Sequence, residues 1–162
     1  MRIRHSTTVN APRELVWDYI NEPDNYKDFM EGITRWDVVG DLRSGLGARY
    51  KMLIRVGSAE VGGLIEVVEF KQRCDMAWAS VTGVDQRGRW RLRDAGQGKT
   101  RVEFRYAYGV AGAGILGLIS ERVAAPSLSG KLKQSLISLK DQVEHERLRQ
   151  EAALRREATS KP

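Results

Sequence analysis

LISERVAAPSLSGKLKQSLISLKDQV, residues 118–143, is the stretch of this sequence that decides the fold. Its apolar residues recur every three, four or seven positions, which places them on one side of a helix. They are Leu118, Ala125, Leu128, Leu132, Leu136, Leu139 and Val143. Off the centre of this stripe lie Lys131, Lys133, Lys140 and Glu144. The sequence predicts no second long helix to cover the stripe, so we expect it to pack on a sheet.

Upstream of this helix the sequence alternates like strands. The predicted strands cover residues 3–9, 33–39, 48–55, 60–71, 75–82, 87–94 and 100–108. Gly, Ser, Asp or Asn occupy the breaks, as hairpin loops require. Alternation is cleanest in the last two strands, where Trp90 and Leu92 oppose arginines, and Phe104 opposes Glu103 and Arg105. The strand over 60–71 is apolar on both faces, so the pattern does not orient it.

Shorter signals surround these strands. Asn10 and Pro12 predict the start of a short helix, with Asn10 as its cap, that runs to about Ile20 with Trp17 at the edge of its buried side. Residues 21–26 end this helix and are compatible with a second brief one. Further along, Pro126 is expected to interrupt or kink the long helix.

Length and composition indicate one globular domain. We expect it to span residues 1–150, followed by a charged, disordered tail over 151–162. The net charge is +6, and the single cysteine, Cys74, allows no intrachain disulfide. Residues 1–10 are too polar for a signal peptide and no apolar run reaches membrane-spanning length, so we expect a cytoplasmic protein without an integral membrane segment.

Several motifs, taken in order, resemble a known superfamily. They are Asn10-Ala11-Pro12 followed by Val16-Trp17, Asn25-Tyr26, Gly45-Leu46-Gly47, Trp90, Thr100-Arg101-Val102 and Leu139-Lys140. Over roughly residues 1–147 the chain is similar to the START-like, or Bet v 1-like, helix-grip proteins. Within these it most resembles the bacterial polyketide cyclase/dehydrase and lipid transport group.

The resemblance implies an α+β helix-grip fold. In this fold a seven-stranded curved antiparallel sheet wraps around the long C-terminal helix, two short helices follow strand 1, and an apolar cavity lies between sheet and helix. Relatives include carriers, sensors, cyclases and scaffolds, so the fold does not fix the activity. No catalytic motif diagnostic of any branch can be matched in this sequence.

The predicted ligand-binding residues come from the inner face of the sheet and the stripe of the helix. They are Tyr50, Met52, Ile54, Trp78, Trp90, Phe104, Tyr106, Tyr108, Leu128, Leu132 and Leu136, together with Glu121 as a polar contact. These side chains either line a cavity or fill the core completely. Glu121 lies on or near the stripe, where an unpaired carboxylate is costly, unless a kink at Pro126 turns it to water.

Three functions are compatible with these features. The first is binding of a small hydrophobic molecule such as a lipid, a quinone or a polyketide-like compound, without cofactor or metal. The second is a polyketide cyclase or aromatase that uses Tyr or Glu groups. The third is a macromolecular interaction module that uses outward-facing arginines against an acidic protein or an anionic surface. Those arginines are Arg87, Arg89, Arg91, Arg93, Arg101 and Arg105.

Other groups are weaker candidates. Nucleic acid is not an expected partner, because no aromatic residues interleave with these arginines. Three further residues are not favoured as catalytic groups: His5 has no identified carboxylate partner, His145 lies among charged residues on a solvated helix, and Cys74 follows Arg73 in a turn. Residues 109–119 are equally compatible with a mobile lid and with an ordinary loop.

Overall fold

A single antiparallel sheet grips one long helix in the computed structural model, which describes residues 2–109 and 121–160. The strands are β1 (Arg2–Val9), β2 (Ile33–Val39), β3 (Arg49–Val56), β4 (Ala59–Lys71), β5 (Asp75–Ser80), β6 (Asp85–Gly96) and β7 (Lys99–Gly109). The helices are α1 (Arg13–Asn21), α2 (Tyr26–Phe29) and α3 (Glu121–Thr159), with a 3₁₀ turn over Pro23–Asn25. The predicted strands and the predicted helix-grip arrangement are confirmed.

The strand order is β1-β7-β6-β5-β4-β3-β2, and every neighbouring pair is antiparallel. The register shifts within β2, in β4 between Val67 and Glu69, and in β6 between Asp94 and Gly96. Such irregularities bend a strand and increase its twist. The sheet therefore curves around the helix instead of lying flat against it.

The apolar stripe of α3 forms the inner side of the core from Leu128 to Val143. The stripe residues Leu132, Leu136, Leu139 and Val143 are each at most 2% exposed. The polar residues beside the stripe fasten the helix to the sheet. Lys140 Nζ donates to the carbonyl of Thr8 at 2.8 Å, and Glu144 accepts from the backbone N–H of Asn10 at 2.8 Å.

Two helix predictions are wrong. Asn10 does not cap α1, because that helix begins at Arg13 with Pro12 in the cap position and no side-chain cap bond. The carbonyl of Pro12 instead accepts from the N–H groups of Leu15 and Val16. Trp17 is 1% exposed and meets Phe70 edge to face at 5.2 Å, so it belongs to the core and not to its edge.

The long helix differs from the prediction at Pro126 and at its C-terminal end. It continues through Pro126 without a break, and it extends to Thr159, so residues 151–159 are helical and not disordered. Ala, Leu, Arg and Glu dominate this end, and these residue types favour helix even where no sheet lies beside it. An ion pair of 2.8 Å between Arg147 and Glu151, four residues apart, adds to this preference.

Candidate functional site

Most of the space between sheet and helix is filled by aromatic side chains. Their contacts close into a ring in which each centroid lies 3.8–6.4 Å from the next. We call this set the aromatic ring cluster: Tyr26, Phe29, Trp36, Trp78, Trp90, Phe104 and Tyr106. None of its members is more than 5% exposed. This part of the interior has the dense packing of a protein core.

Gly88 makes room for the cluster on the inner face of β6. Its register partners are Trp78 on β5 and Tyr106 on β7. A Cβ atom at position 88 would lie 2.2 Å from the Trp78 ring. A glycine is therefore required where the indole of Trp78 crosses the strand.

Beyond the cluster, one end of the interior is open. We call this opening the end pocket; it has a volume of about 70 Å³ and lies between the β3–β4 hairpin, the facing ends of β6 and β7, and α3 near Leu128. Its walls are mainly apolar. The lining residues are Ile54, Arg55, Val56, Val61, Gly62, Val84, Gln86, Tyr106, Tyr108, Gly109, Ser127, Leu128 and Lys131.

The size of the end pocket limits what it can hold. A dry cavity of about 150 Å³ holds one benzene molecule. The end pocket has about half that volume but is partly open, so it has room for the end of a molecule and not for a whole lipid chain. A longer ligand would extend outward past the lining residues.

A polar pair forms the buried end of this pocket. The hydroxyl of Tyr106 donates to Gln86 Oε1 at 2.6 Å, and Gln86 is only 1% exposed. Gln86 Nε2 has no hydrogen-bond partner among the residues that the structure describes. Burial, reinforced by the neighbouring Tyr108, raises the pKa of Tyr106, so its hydroxyl keeps its proton at neutral pH.

The other end of the pocket is cationic and faces water. Lys131 Nζ donates to the carbonyl oxygen of Arg55 at 2.6 Å, which ties α3 to the β3–β4 hairpin. The exposed guanidinium of Arg55 lies 3.4 Å from a carboxylate oxygen of Glu60. The pocket is thus polar at its inner end and apolar along its walls, and its mouth carries the Lys131 ammonium beside the Arg55–Glu60 ion pair.

The predicted site residues divide into three groups. Ile54, Tyr106, Tyr108 and Leu128 line the end pocket. Buried in the core outside this pocket are Tyr50, Met52, Trp78, Trp90, Phe104, Leu132 and Leu136. The side chain of Glu121 lies outside the described residues, and so does the predicted lid over 109–119 except for Gly109.

The sequence analysis predicts four of the lining residues and misses the others, among which Gln86 is the buried polar one. The predicted strand begins at residue 87, which leaves Gln86 in a turn, whereas β6 begins at Asp85. The signal was present, because Gln86, Gly88 and Trp90 alternate in phase on the inner face. A polar residue in phase with core residues is a candidate ligand contact.

The outer face of the sheet carries the arginines, and most are ion-paired. Arg91 and Arg93 lie 2.8 Å and 3.1 Å from Asp75, and Arg89 lies 2.6 Å from Glu69. Burial raises the pKa of Asp75, but the two guanidinium groups outweigh it and hold that pKa below its ordinary value. The predicted basic face is therefore largely neutralised by its own carboxylates.

A shallow groove of about 490 Å³ crosses this outer face beside the paired arginines. Its floor includes Ala77, Ala79 and Ala107. Arg2 and Arg87 flank Ala107 in the strand register, and neither has an ion pair within the described parts of the chain.

His5 contacts α3 away from the end pocket. Its Nε2 lies 3.0 Å from the hydroxyl of Ser129, where β1 meets the helix. Neither residue lines the end pocket. Their contact joins the edge strand to the helix.

The fold and the pocket agree with the comparison with known families. The sequence model of the family described as polyketide cyclase / dehydrase and lipid transport matches residues 1–144. The fold places the chain in the class of helix-grip proteins, whose interior lies between the sheet and the long helix. The chain belongs to the polyketide cyclase/dehydrase and lipid transport family.

Solved structures show the same fold at low sequence identity. The protein TTHA0849 from Thermus thermophilus superposes with a TM-score of 0.74 at 19% identity, covering 88% of this chain and 97% of that one. The Zhui aromatase/cyclase from Streptomyces sp. R1128 gives 0.67 at 18% identity, covering 89% and 93%. The di-domain ARO/CYC StfQ from the steffimycin biosynthetic pathway gives 0.66 at 16% identity, covering 91% and 47%.

One further comparison gives no relative, because no curated protein matches the chain. Within residues 2–109 and 121–160, no helix has both the length and the apolar run that crossing a bilayer needs.

Proposed function

We propose that this protein binds a small, mostly apolar ligand in the end pocket between the sheet and α3. The observation that carries the proposal is the contrast within the interior: side chains fill the middle, but an apolar opening remains where Val61, Val84 and Leu128 meet. Such a concave site with few polar groups is the usual form of a small-molecule site. Ligands compatible with it are the end of a lipid, a quinone or a polyketide-like molecule.

The pocket suits weak binding of a single ring. Burying about 150 Å² of apolar ligand surface contributes roughly 4 kcal/mol, at about 25 cal/mol per Å². That corresponds to a dissociation constant of about 1 mM at best, because association also costs translational and rotational freedom. A natural ligand that also contacts the mouth would bind more tightly, since it buries more surface and meets Lys131.

Titration with ethylbenzene, followed by NMR, tests this proposal. We expect shifts at Val61, Val84 and Leu128 that follow a one-site binding curve up to the solubility limit of ethylbenzene. The variant Val84→Trp fills the pocket and should abolish them. Val81→Trp is the matched control, because Val81 is 45% exposed and does not line the pocket, so ethylbenzene should still bind.

Two results would contradict the proposal. One is the absence of saturable shifts in the unmodified protein. The other is undiminished binding by a folded Val84→Trp variant, which would place the ethylbenzene elsewhere. Native mass spectrometry of the purified protein complements the titration, since a retained small molecule that is lost in Val84→Trp would identify the natural ligand.

A cyclase or aromatase function is the second candidate, and the similarity to two aromatase/cyclase structures favours it. Ring closure of a poly-ketone chain needs groups that remove and return protons. The amide N–H groups of Gln86, held in place by Tyr106, can polarise a carbonyl, but the described lining contains no carboxylate or imidazole that would act as a base. Ligand binding therefore needs fewer assumptions. Turnover of a poly-ketone substrate that is lost in Tyr106→Phe would favour the cyclase.

The third candidate is an acidic protein or an anionic surface bound through arginines on the outer face. The groove beside Arg2 and Arg87 favours it, whereas Arg89, Arg91 and Arg93 already contact carboxylates. Such binding should weaken steeply as salt is added. It should also survive the pocket-filling Val84→Trp substitution, which separates it from the first two functions.

A further inference from the structure

We propose that the end pocket selects ligands with a neutral carbonyl group at their buried end, and that Gln86 is the residue that recognises it. The carbonyl oxygen accepts from Gln86 Nε2, while the apolar body of the ligand lies against Val61, Val84 and Leu128. This inference rests on the proposed ligand binding in the same pocket. It adds the chemical class of the ligand and the residue that selects it.

The hydrogen-bond inventory of Gln86 carries the argument. Its Oε1 accepts from Tyr106 at 2.6 Å, which fixes the orientation of the amide. Its Nε2 then carries two N–H donors with no acceptor among the described residues, although the side chain is 99% buried. A buried donor left unpaired costs about 1–3 kcal/mol, so a group that pairs with it is bound preferentially.

The position of Gln86 distinguishes it from other buried polar atoms that lack partners. The indole N–H groups of Trp36, Trp78 and Trp90 lie in the aromatic ring cluster, where neighbouring rings surround them. Gln86 borders the end pocket. A ligand that enters the pocket can therefore reach Gln86 without displacing the core.

The chemistry of the inner end selects an acceptor without charge. A carboxylate placed beside Gln86 would lose its hydration with no described cation at that end of the pocket, which is costly. The cationic groups, Lys131 and Arg55, lie at the mouth. A ketone, ester or amide oxygen accepts two hydrogen bonds and brings no charge. An acidic group on the same ligand would be placed at the mouth.

A matched pair of ligands tests the recognition. Acetophenone and ethylbenzene have the same ring and nearly the same shape, but only acetophenone has a carbonyl. The measured quantity is the ratio of their dissociation constants in the unmodified protein and in Gln86→Met, which keeps the side-chain length and removes the amide. We expect the relative preference for acetophenone to fall about five- to tenfold in Gln86→Met. Gln134→Met, at an exposed position on α3, should leave the ratio unchanged.

A second measurement needs no variant of Gln86. In the unmodified protein, acetophenone should shift the side-chain amide resonances of Gln86 in a ¹⁵N–¹H spectrum, whereas ethylbenzene should shift mainly the methyl groups of the pocket. This readout keeps the proposal testable if Gln86→Met folds poorly after the Tyr106 hydroxyl loses its partner.

The outcomes separate this inference from the proposed function. If both ligands bind and the ratio does not change in a folded Gln86→Met variant, the carbonyl recognition is wrong and the binding function stands. In that case a buried water is the partner of Gln86 Nε2. If neither ligand binds the unmodified protein, both proposals are overturned. A lower ratio together with a shifted Gln86 amide supports both.

Discussion

The interior has two halves that the same sheet and helix enclose, yet one is packed and the other is open. In the packed half, Trp90 stacks on Phe104 at 4.1 Å and Tyr26 stacks on Trp36 at 3.8 Å. In the open half, Val56, Val61, Val84 and Gln86 stand beside Tyr106 and Tyr108 and leave the end pocket. The comparison teaches that the size of the inward-facing side chains determines where the interior of this protein is open.

Both halves contain buried polar atoms, but the surroundings of these atoms differ. In the packed half, Tyr50 donates its hydroxyl to the carbonyl of Arg43 at 2.7 Å, and burial raises the pKa of Tyr50 to about 12. The indole N–H groups of Trp36, Trp78 and Trp90 in the same half have no partner among the described residues, and neither has Gln86 Nε2 in the open half. Among these atoms, only Gln86 Nε2 belongs to a residue that lines the end pocket.

The largest expected effect comes from removing a ring from the packed half. Trp90→Ala leaves a void between Phe29 and Phe104, so we expect the free energy of unfolding to fall by about 3–5 kcal/mol. Val84→Ala, in the wall of an existing opening, should lower it by about 1 kcal/mol or less. Urea denaturation measures both. Equal losses would contradict the division into two halves.

Two glycine substitutions should change the free energy of unfolding by smaller amounts, one lowering it and the other raising it. Gly88→Ala puts a Cβ atom against the Trp78 ring, so it should lower the free energy of unfolding by about 1–3 kcal/mol. Gly130→Ala should raise it by about 0.5–1 kcal/mol, because Gly130 lies within α3 and a Cβ atom there meets nothing within 4 Å. Thermal unfolding of the two variants distinguishes them. Destabilisation by Gly130→Ala, or none by Gly88→Ala, would show that the packing differs from this account.

The smallest effect concerns the outer face behind the packed half. The pKa of Asp75 is lower in the folded than in the unfolded state, so its ion pairs stabilise the fold above the ordinary pKa of about 4 and lose this effect as pH falls through the folded pKa. Asp75→Asn should therefore cost about 1 kcal/mol at pH 7, given the exposed arginine partners. The two stabilities should converge in strong acid. A difference that persists below pH 2 would contradict the ion-pair explanation.

The sequence predicts the strands well because period-two alternation and turn residues are local signals. It does not predict the contribution of β2 to the aromatic ring cluster. The register shift between Ile33 and Arg35 allows Ile33 and Trp36, three residues apart, to be buried together, which simple alternation does not indicate. Tyr26 and Phe29 enter the same cluster from α2, a helix too short to have a clear period.

The candidate site is harder to predict than the fold. Inner-face residues such as Trp78 and Phe104 have the same pattern whether they line a cavity or fill it, because the difference depends on ring volume and strand curvature. Ile54 on β3 and Leu128 on α3 line the pocket together with the smaller side chains Val61 and Val84. The pairing of Gln86 with Tyr106 depends on the β6–β7 register, since these residues are 20 positions apart.

The most direct test of the central claim is a crystal structure of the protein soaked with acetophenone. The account predicts one molecule in the end pocket, with its ring against Val61, Val84 and Leu128 and its oxygen within hydrogen-bond distance of Gln86 Nε2. The aromatic ring cluster should be unchanged. An empty end pocket at saturating acetophenone, or a molecule bound among Trp36, Trp78 and Trp90 instead, would contradict it.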